Sequence, residues 1–286
     1  MRLASFERAG RCTWGIVEEG CIRDVGAVLH DTLPDLRSVI AAAAYDAVRR
    51  AAPTALAVRE HEVHWLPVVP NPDKIICVGL NYQEHRQETG RSSVAFPTIF
   101  TRFTNSQTGH RRSIPLTHLS TQLDYEGELA VIIGNRARYV SRDDAAACIA
   151  GYACYNDITV RDWQRHTHQF APGKNFPGTG AFGPWMVTPD ELPDLDNARL
   201  QTRVNGVIVQ SATPGQMIFS VAALIEYCSA FTPLEPGDVI VTGTPGGVGM
   251  KRQPPLWLRP GDVTEVEIEG IGLLSNTVVA EARDSA

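Results

Sequence analysis

Leu123-Asp124-Tyr125-Glu126-Gly127-Glu128-Leu129-Ala130-Val131-Ile132-Ile133-Gly134 reads as a β-strand with an acidic start. Leu129 to Ile133 is an apolar, partly β-branched run, and Gly134 stops it. Side chains alternate along a strand, so Glu126 and Glu128 point the same way. Two carboxylates side by side repel each other and resist burial, so at the edge of an apolar run they call for a cation. Hard divalent ions such as Mg²⁺ and Mn²⁺ prefer oxygen ligands of this kind. The alternative is a solvated strand end with two inert glutamates.

Upstream, Lys74-Ile75-Ile76-Cys77-Val78-Gly79 reads as a buried strand. If Tyr82 to Glu88 is helical, His85 and Glu88 share a face. A carboxylate beside an imidazole fixes its tautomer and raises its basicity, as a general base requires, although a surface ion pair has the same spacing. Thr89 to Ser93 has the composition of a mobile loop, suited to a lid. Phe96 to Phe103 reads as a strand and Gln107 to Arg112 as a polar loop.

Downstream, Ser141 is the expected cap of a helix that runs to Ala150 and ends at Gly151, with Asp144 completing a capping box. Tyr152 to Val160 is the next strand. Asp157 follows Glu128 by 29 residues (157 minus 128), enough for one excursion and return beside the starting strand. Asp157 is therefore a candidate third carboxylate, or else a buried hydrogen-bonded aspartate. Ala171 to Trp185 holds several breakers and one lysine, Lys174, and reads as a functional loop. Asn205-Gly206, between Leu200-Val204 and Val207-Gln210, is a hairpin signal. Ile218 to Phe231 reads as an amphipathic helix. Pro236 to Gly249 reads as a strand followed by a glycine-rich turn that lets backbone amides approach a ligand, without the Gly-Lys-Ser/Thr of a P-loop. Glu265, Glu267 and Glu269 alternate with Val266 and Ile268, which predicts a solvated face.

Residues 1–70 read as a small N-terminal domain and 71–286 as the catalytic one. The first holds short strands at Arg2-Phe6, Thr13-Val17 and Cys21-Val25, a helix from Asp35 to Arg50 with Asp35 as N-cap, and a strand from His61 to Val69 ending in Pro70-Asn71-Pro72.

The 286 residues, 43% hydrophobic and 20% charged, describe an ordinary globular chain. A net charge of −6 without a basic run argues against nucleic acid as a partner. No apolar segment approaches the ~20 residues of a membrane span, and Met1 to Glu7 carries no apolar core of a signal peptide. Cys12, Cys21, Cys77, Cys148, Cys154 and Cys228 match no zinc or redox spacing. A cytoplasmic protein with reduced thiols is expected.

Five short segments in one order resemble the fumarylacetoacetate hydrolase family, from about Lys74 to Val279. They are Val78-Gly79-Leu80-Asn81-Tyr82 with His85; Asp124 to Leu129; Asn156-Asp157 with Arg161-Asp162-Trp163-Gln164; Gly173-Lys174-Asn175-Phe176 with Gly183-Pro184; and Thr242 to Gly249. The resemblance implies an α+β, mainly β fold: a mixed β-roll with a smaller N-terminal α/β domain. It implies a small-molecule oxo-acid substrate, a homodimer, and one Mg²⁺, Mn²⁺ or Ca²⁺ on Glu126, Glu128 and Asp157. It sets Lys174 near the substrate oxyanion, Arg161, Gln164 and Thr244 near its carboxylate, and His85 with Glu88 in a lid dyad. Two departures, Arg102 where many relatives have lysine and the basic run His110-Arg111-Arg112, bear on substrate preference.

The expected reaction is metal-dependent hydrolysis of a C–C bond in a 2,4-dioxo acid (acylpyruvate or fumarylacetoacetate-like), giving pyruvate or a related oxo-acid and a carboxylic acid, in catabolism of aromatic or sugar acids. The same residues suit an isomerase, decarboxylase or hydratase of related oxo-acids. A reading from another class is a non-catalytic metal- or ligand-binding protein on the same scaffold.

Overall fold

A computed structural model describes residues 1–90 and 95–282. The fold is mainly β. A twelve-stranded sheet has the main order Ala57–Arg59, Cys21–Arg23, Arg11–Glu18, Arg2–Arg8, Gly180–Val187, Ile149–Asp157, Gly127–Ile133, Val239–Val241, Ile75–Gly79, Thr98–Arg102. A five-stranded sheet packs against it, ordered Val207–Ala212, Leu200–Val204, Val263–Ile268, Gly272–Ala280, Ser113–Leu116. The N-terminal strands join the large sheet where Arg2–Arg8 pairs antiparallel with Gly180–Val187.

The strand Gly127–Ile133 is buried on both faces. Leu129, Val131 and Ile133 pack with Leu200, Val266, Ile268 and Leu274 of the small sheet. Ala130 and Ile132 pack on the other face with Leu3, Trp14, Leu36, Ile40 and Val48. A strand between two cores reads as a continuous apolar run rather than an alternating one, which is the pattern here.

Several expectations hold. Asn205 and Gly206 take positive φ (51° and 78°) in a two-residue hairpin. Val221–Phe231 is a helix capped by Ser220, and Val263–Ile268 buries Val266 and Ile268 while Glu265 and Glu267 stay partly exposed.

Others need correction. The helix expected from Asp35 to Arg50 is two helices, Leu36–Ala41 and Tyr45–Ala51. Asp35 caps the first, but Ala43 turns left-handed, with Ala44 N donating to Val39 O and Ala43 N to Ile40 O. This turn normally takes glycine; here it returns the chain so that Val48 packs with Leu36 and Ile40. Of the strand expected from His61 to Val69, only His64–Trp65 pairs. The Ser141–Ala150 helix shrinks to a 3₁₀ turn at Ala145–Cys148, and the next strand starts at Ile149, so Gly151 lies inside it. The Ala171–Trp185 loop gives up its second half to the strand Gly180–Val187, whose glycines and proline mask strand character. Of the Thr89–Ser93 lid, Thr89 and Gly90 close a helix and residues 91–93 lie outside the described residues.

Candidate active site

Strand directions bring one end of the large sheet to a single place. Gly127–Ile133 starts where Ile149–Asp157 and Val239–Val241 end, because both run antiparallel to it. Ile75–Gly79 runs parallel to Val239–Val241 and ends at the same edge. Asp157 therefore lies across from Glu126, its N donating to Glu126 O at 2.8 Å, and Gly243 lies across from Glu128 and donates its N–H to that carboxylate. Gly243 has φ +106°, and a Cβ there would lie 2.7 Å from Asn81 Cβ, so the tight turn requires glycine.

Glu126, Glu128 and Asp157 each offer an oxygen within 4.8 Å of the others. All are buried; Glu126 and Glu128 are 5% and 2% exposed. Lys174 Nζ donates to Glu126 Oε2 at 2.5 Å and to Asp157 Oδ2 at 2.6 Å. Lys174 ends the short helix Ala171–Lys174, which sits against the helix Arg161–Gln164 through Gly173, where a Cβ would meet Gln164 N at 2.4 Å. Arg161 Nε donates to Asp124 Oδ2 at 2.8 Å, and its Nη2 lies 2.7 Å from Glu126 Oε1 as an ion pair without hydrogen-bond alignment. Arg102 Nε donates to Asp157 Oδ1.

These contacts distribute charge unevenly. Burial alone would raise the Glu126 carboxyl, but Arg161 and Lys174 outweigh it and hold it well below its usual range. Burial would lower the Lys174 ammonium, but Asp157 and Glu126 raise it, so it stays protonated. Glu128 is pushed well above its usual range by burial and then by Asp157 and Glu126. Its one direct hydrogen bond among the described residues comes from the Gly243 backbone; no cation pairs with it. A buried carboxylate that pairs directly with no cation among the described residues, facing two others, is a donor set that fits a hard divalent ion.

His85 lies on the helix Gln83–Glu88 and is buried. Its Nδ1 is 2.7 Å from Glu88 Oε1, and Glu88 Oε2 accepts from Gly247 N at 3.0 Å. The glycine-rich turn thus fixes the carboxylate that fixes the imidazole. In the tautomer that directs Nδ1–H to Glu88, Nε2 carries the lone pair.

His85, Glu126, Glu128, Arg161, Gln164, Lys174 and Thr244 line one cavity of about 710 Å³; Asp157 lies behind Lys174. Gln164 Oε1 accepts from Arg161 Nη1 at 3.0 Å. The Thr244 hydroxyl is committed to the protein: it donates to Gly127 O at 3.0 Å and accepts from Gln210 Nε2 at 2.8 Å.

The chain matches the family model for the fumarylacetoacetate hydrolase C-terminal domain over residues 74–279. It belongs to the fumarylacetoacetate hydrolase family. A mitochondrial oxaloacetate tautomerase of Rattus norvegicus is 43% identical over 219 residues, 76% of this chain and 70% of the relative. Among solved structures, fumarylacetoacetate hydrolase from Exiguobacterium antarcticum superposes with a TM-score of 0.86 at 37% identity, covering 98% of this chain and 100% of that one. Maleylpyruvate hydrolase from Sphingobium sp. SYK-6, solved with manganese(II) and pyruvate, gives 0.82 at 27% identity, covering 99% and 100%. Members of this family are thus enzymes of related but different chemistry, hydrolysing or tautomerising oxo-acids.

Sequence reading gave Asp124 no role of its own. Its carboxylate holds Arg161 and accepts from Gly249 N at 2.8 Å and Met250 N at 3.0 Å, tying a cavity arginine to the glycine-rich turn. Gln210 was also missed; its Nε2 donates to Thr244 Oγ1 and its Oε1 accepts from Gly127 N at 3.0 Å. An aspartate just before the Glu126-Gly127-Glu128 triplet was the available signal for Asp124; Gln210, in an ordinary hairpin strand, carried none.

Proposed function

We propose that this chain is a divalent-metal-dependent hydrolase of 2,4-dioxo acids, with Mg²⁺ or Mn²⁺ held by Glu126, Glu128 and Asp157 and Ca²⁺ as a further candidate. The observation that carries this reading is the buried His85, held by the half-buried Glu88, in the same cavity as Glu128, which no described cation pairs with, and the protonated Lys174. The Sphingobium neighbour, solved with manganese(II) and pyruvate, supports the choice of ion and substrate class.

When bound, the ion polarises the 2-oxo group and offsets negative charge on it. The chain's own residues do the rest. His85 Nε2, oriented through Nδ1 by Glu88, takes a proton from water. The hydroxide oxygen bonds to C4, and the C3–C4 bond breaks with its electron pair moving to C3. The departing enolate is stabilised by the Lys174 ammonium and takes up at C3 the proton that His85 took from water, giving pyruvate and restoring His85. Arg161, whose Nη2 is ion-paired with Glu126 Oε1 at 2.7 Å and which lines the cavity, gives the positive charge that draws the substrate carboxylate. Gln164 holds that guanidinium in place from Nη1. Thr244 shapes the cavity wall.

A second reading is keto–enol tautomerisation of an oxo-acid, favoured by the 43% identity to an oxaloacetate tautomerase. It needs the same base and enolate stabilisation, with the proton exchanged at C3 and no bond broken between carbons. The six free cysteines fit a reducing compartment, and we place the protein in the cytoplasm. No helix among the described residues is long and apolar enough to cross a membrane.

Following acylpyruvate enol absorbance with Mg²⁺, Mn²⁺ or EDTA, with a parallel assay of released pyruvate, separates the readings. Metal-dependent pyruvate release is the expected result. Metal-dependent loss of absorbance without release means tautomerisation; no change with metal-loaded protein contradicts both.

A further inference from the structure

The cavity has two cationic zones. The inner one, Arg161 with Lys174, is buried among the carboxylates. The outer one holds Arg165 and Lys251, both exposed and both lining the same cavity. Arg165 follows Arg161 by four residues, at the C-cap of the helix Arg161–Gln164. Residues four apart share a helix face about one turn, roughly 5–6 Å, from each other. One helix thus sets one guanidinium against Glu126 and the next at the mouth.

Lys251 lines the same cavity from the 3₁₀ turn Gly249–Lys251. Asp124 fixes that turn through Gly249 N and Met250 N, and the same carboxylate holds Arg161. Inner and outer zones are therefore braced by one buried residue. Arg165 Nη2 comes within 3.4 Å of Met250 Sδ, so it touches the turn that carries Lys251. Neither Arg165 nor Lys251 pairs with a carboxylate among the described residues, whereas Arg161 and Lys174 both do. Val78, Leu80, Phe100, Phe170 and Met250 line the same cavity and give it an apolar wall beside its polar groups.

We propose that Arg165 and Lys251 form a second anion subsite, selecting 2-oxo acids with a second carboxylate at the end remote from the 2-oxo group. This rests on the reading that the inner zone takes the 2-oxo acid end. An extended dioic acid places one carboxylate at Arg161, its carbon chain along the apolar wall, and the other at the mouth. A monocarboxylic acyl chain of equal length leaves the outer cations unpaired.

The test uses a matched pair, 2,4-dioxoheptanedioate and 2,4-dioxoheptanoate, which differ only in a terminal carboxylate against a methyl. Turnover and calorimetric binding are measured with Mn²⁺-loaded protein, wild type and Arg165→Gln/Lys251→Gln. The wild type is expected to favour the dioate. Two exposed ion pairs predict that the double substitution lowers that preference roughly fivefold to tenfold, through KM or Kd rather than kcat. Salt should weaken binding of the dioate more than of the monoacid. A wild type indifferent to the terminal group, or a preference unchanged in the double variant, overturns the subsite. Wild type that neither binds nor turns over either compound overturns the 2-oxo-acid reading and the subsite with it; binding without turnover still tests the subsite through the Kd ratio.

Discussion

Arg102 Nε donates to Asp157 Oδ1 at 2.5 Å, and both side chains are fully buried. The rest of the guanidinium reaches Ile158 O, Thr179 Oγ1 and Ser106 Oγ, so it clamps the end of the strand Ile149–Asp157. It also occupies one oxygen of Asp157 and leaves the other to Lys174. Arg102→Met leaves the buried Asp157 with Lys174 as its remaining cation, strips three further acceptors of their donor, and is expected to destabilise the fold by about 3 kcal/mol. Arg102→Lys keeps the charge but loses the fan of bonds, and its urea midpoint should fall between those of wild type and Arg102→Met. A methionine variant as stable as wild type would remove the clamp from the account.

The dyad predicts a separation of binding from chemistry. His85→Gln should leave Mn²⁺ affinity close to wild type while lowering kcat by about 10²–10⁴. Glu88→Gln, which keeps contact with Gly247 but loses the charge behind the imidazole, should give a smaller loss and shift the pH profile of kcat/KM. Single-turnover rates and Mn²⁺ titrations on the same preparations check both.

His110 gives a pH prediction outside the cavity. Burial and then Arg111 push its imidazole down to about 4 from an ordinary 6.5. Its ring meets the Trp65 edge at 5.4 Å, and its Nδ1 accepts from Ser275 N at 3.1 Å. The unfolded chain therefore binds more protons than the folded one between these values. The associated stability is fully present above pH 6.5 and is lost as pH falls towards 4. The full span is at most about 3 kcal/mol. In His110→Gln, the fall in urea midpoint between about pH 7.5 and about pH 5 should shrink. An equally steep fall in that variant would assign the acid sensitivity to other groups.

What the sequence made legible follows from how local each signal is. Glu126-Gly127-Glu128 at the head of an apolar run, Asn205-Gly206 between strands, and the Asp35 and Ser220 caps carry their structure within a few residues. The return of Asp157 beside Glu126 was readable from spacing because one strand pairing enforces it. The left-handed turn at Ala43 was not, because alanine favours helix and only packing of Val48 with Leu36 and Ile40 overrides it. The roles of Arg102 and Asp124 were hidden for the same reason: each acts through partners 55 and 37 residues away, which no local pattern marks.

The most direct test of the account is Mn²⁺ binding followed by electron paramagnetic resonance in wild type and Glu128→Gln. Of the three carboxylates, Glu128 is the one that pairs with no cation among the described residues, so a neutral isostere keeps the shape and removes the charge that calls for the ion. The account predicts one tight ion per chain in wild type and about a hundredfold weaker binding in the variant, as expected when a direct ligand loses its charge. Wild type that binds no ion, or a variant that binds as tightly, would contradict it.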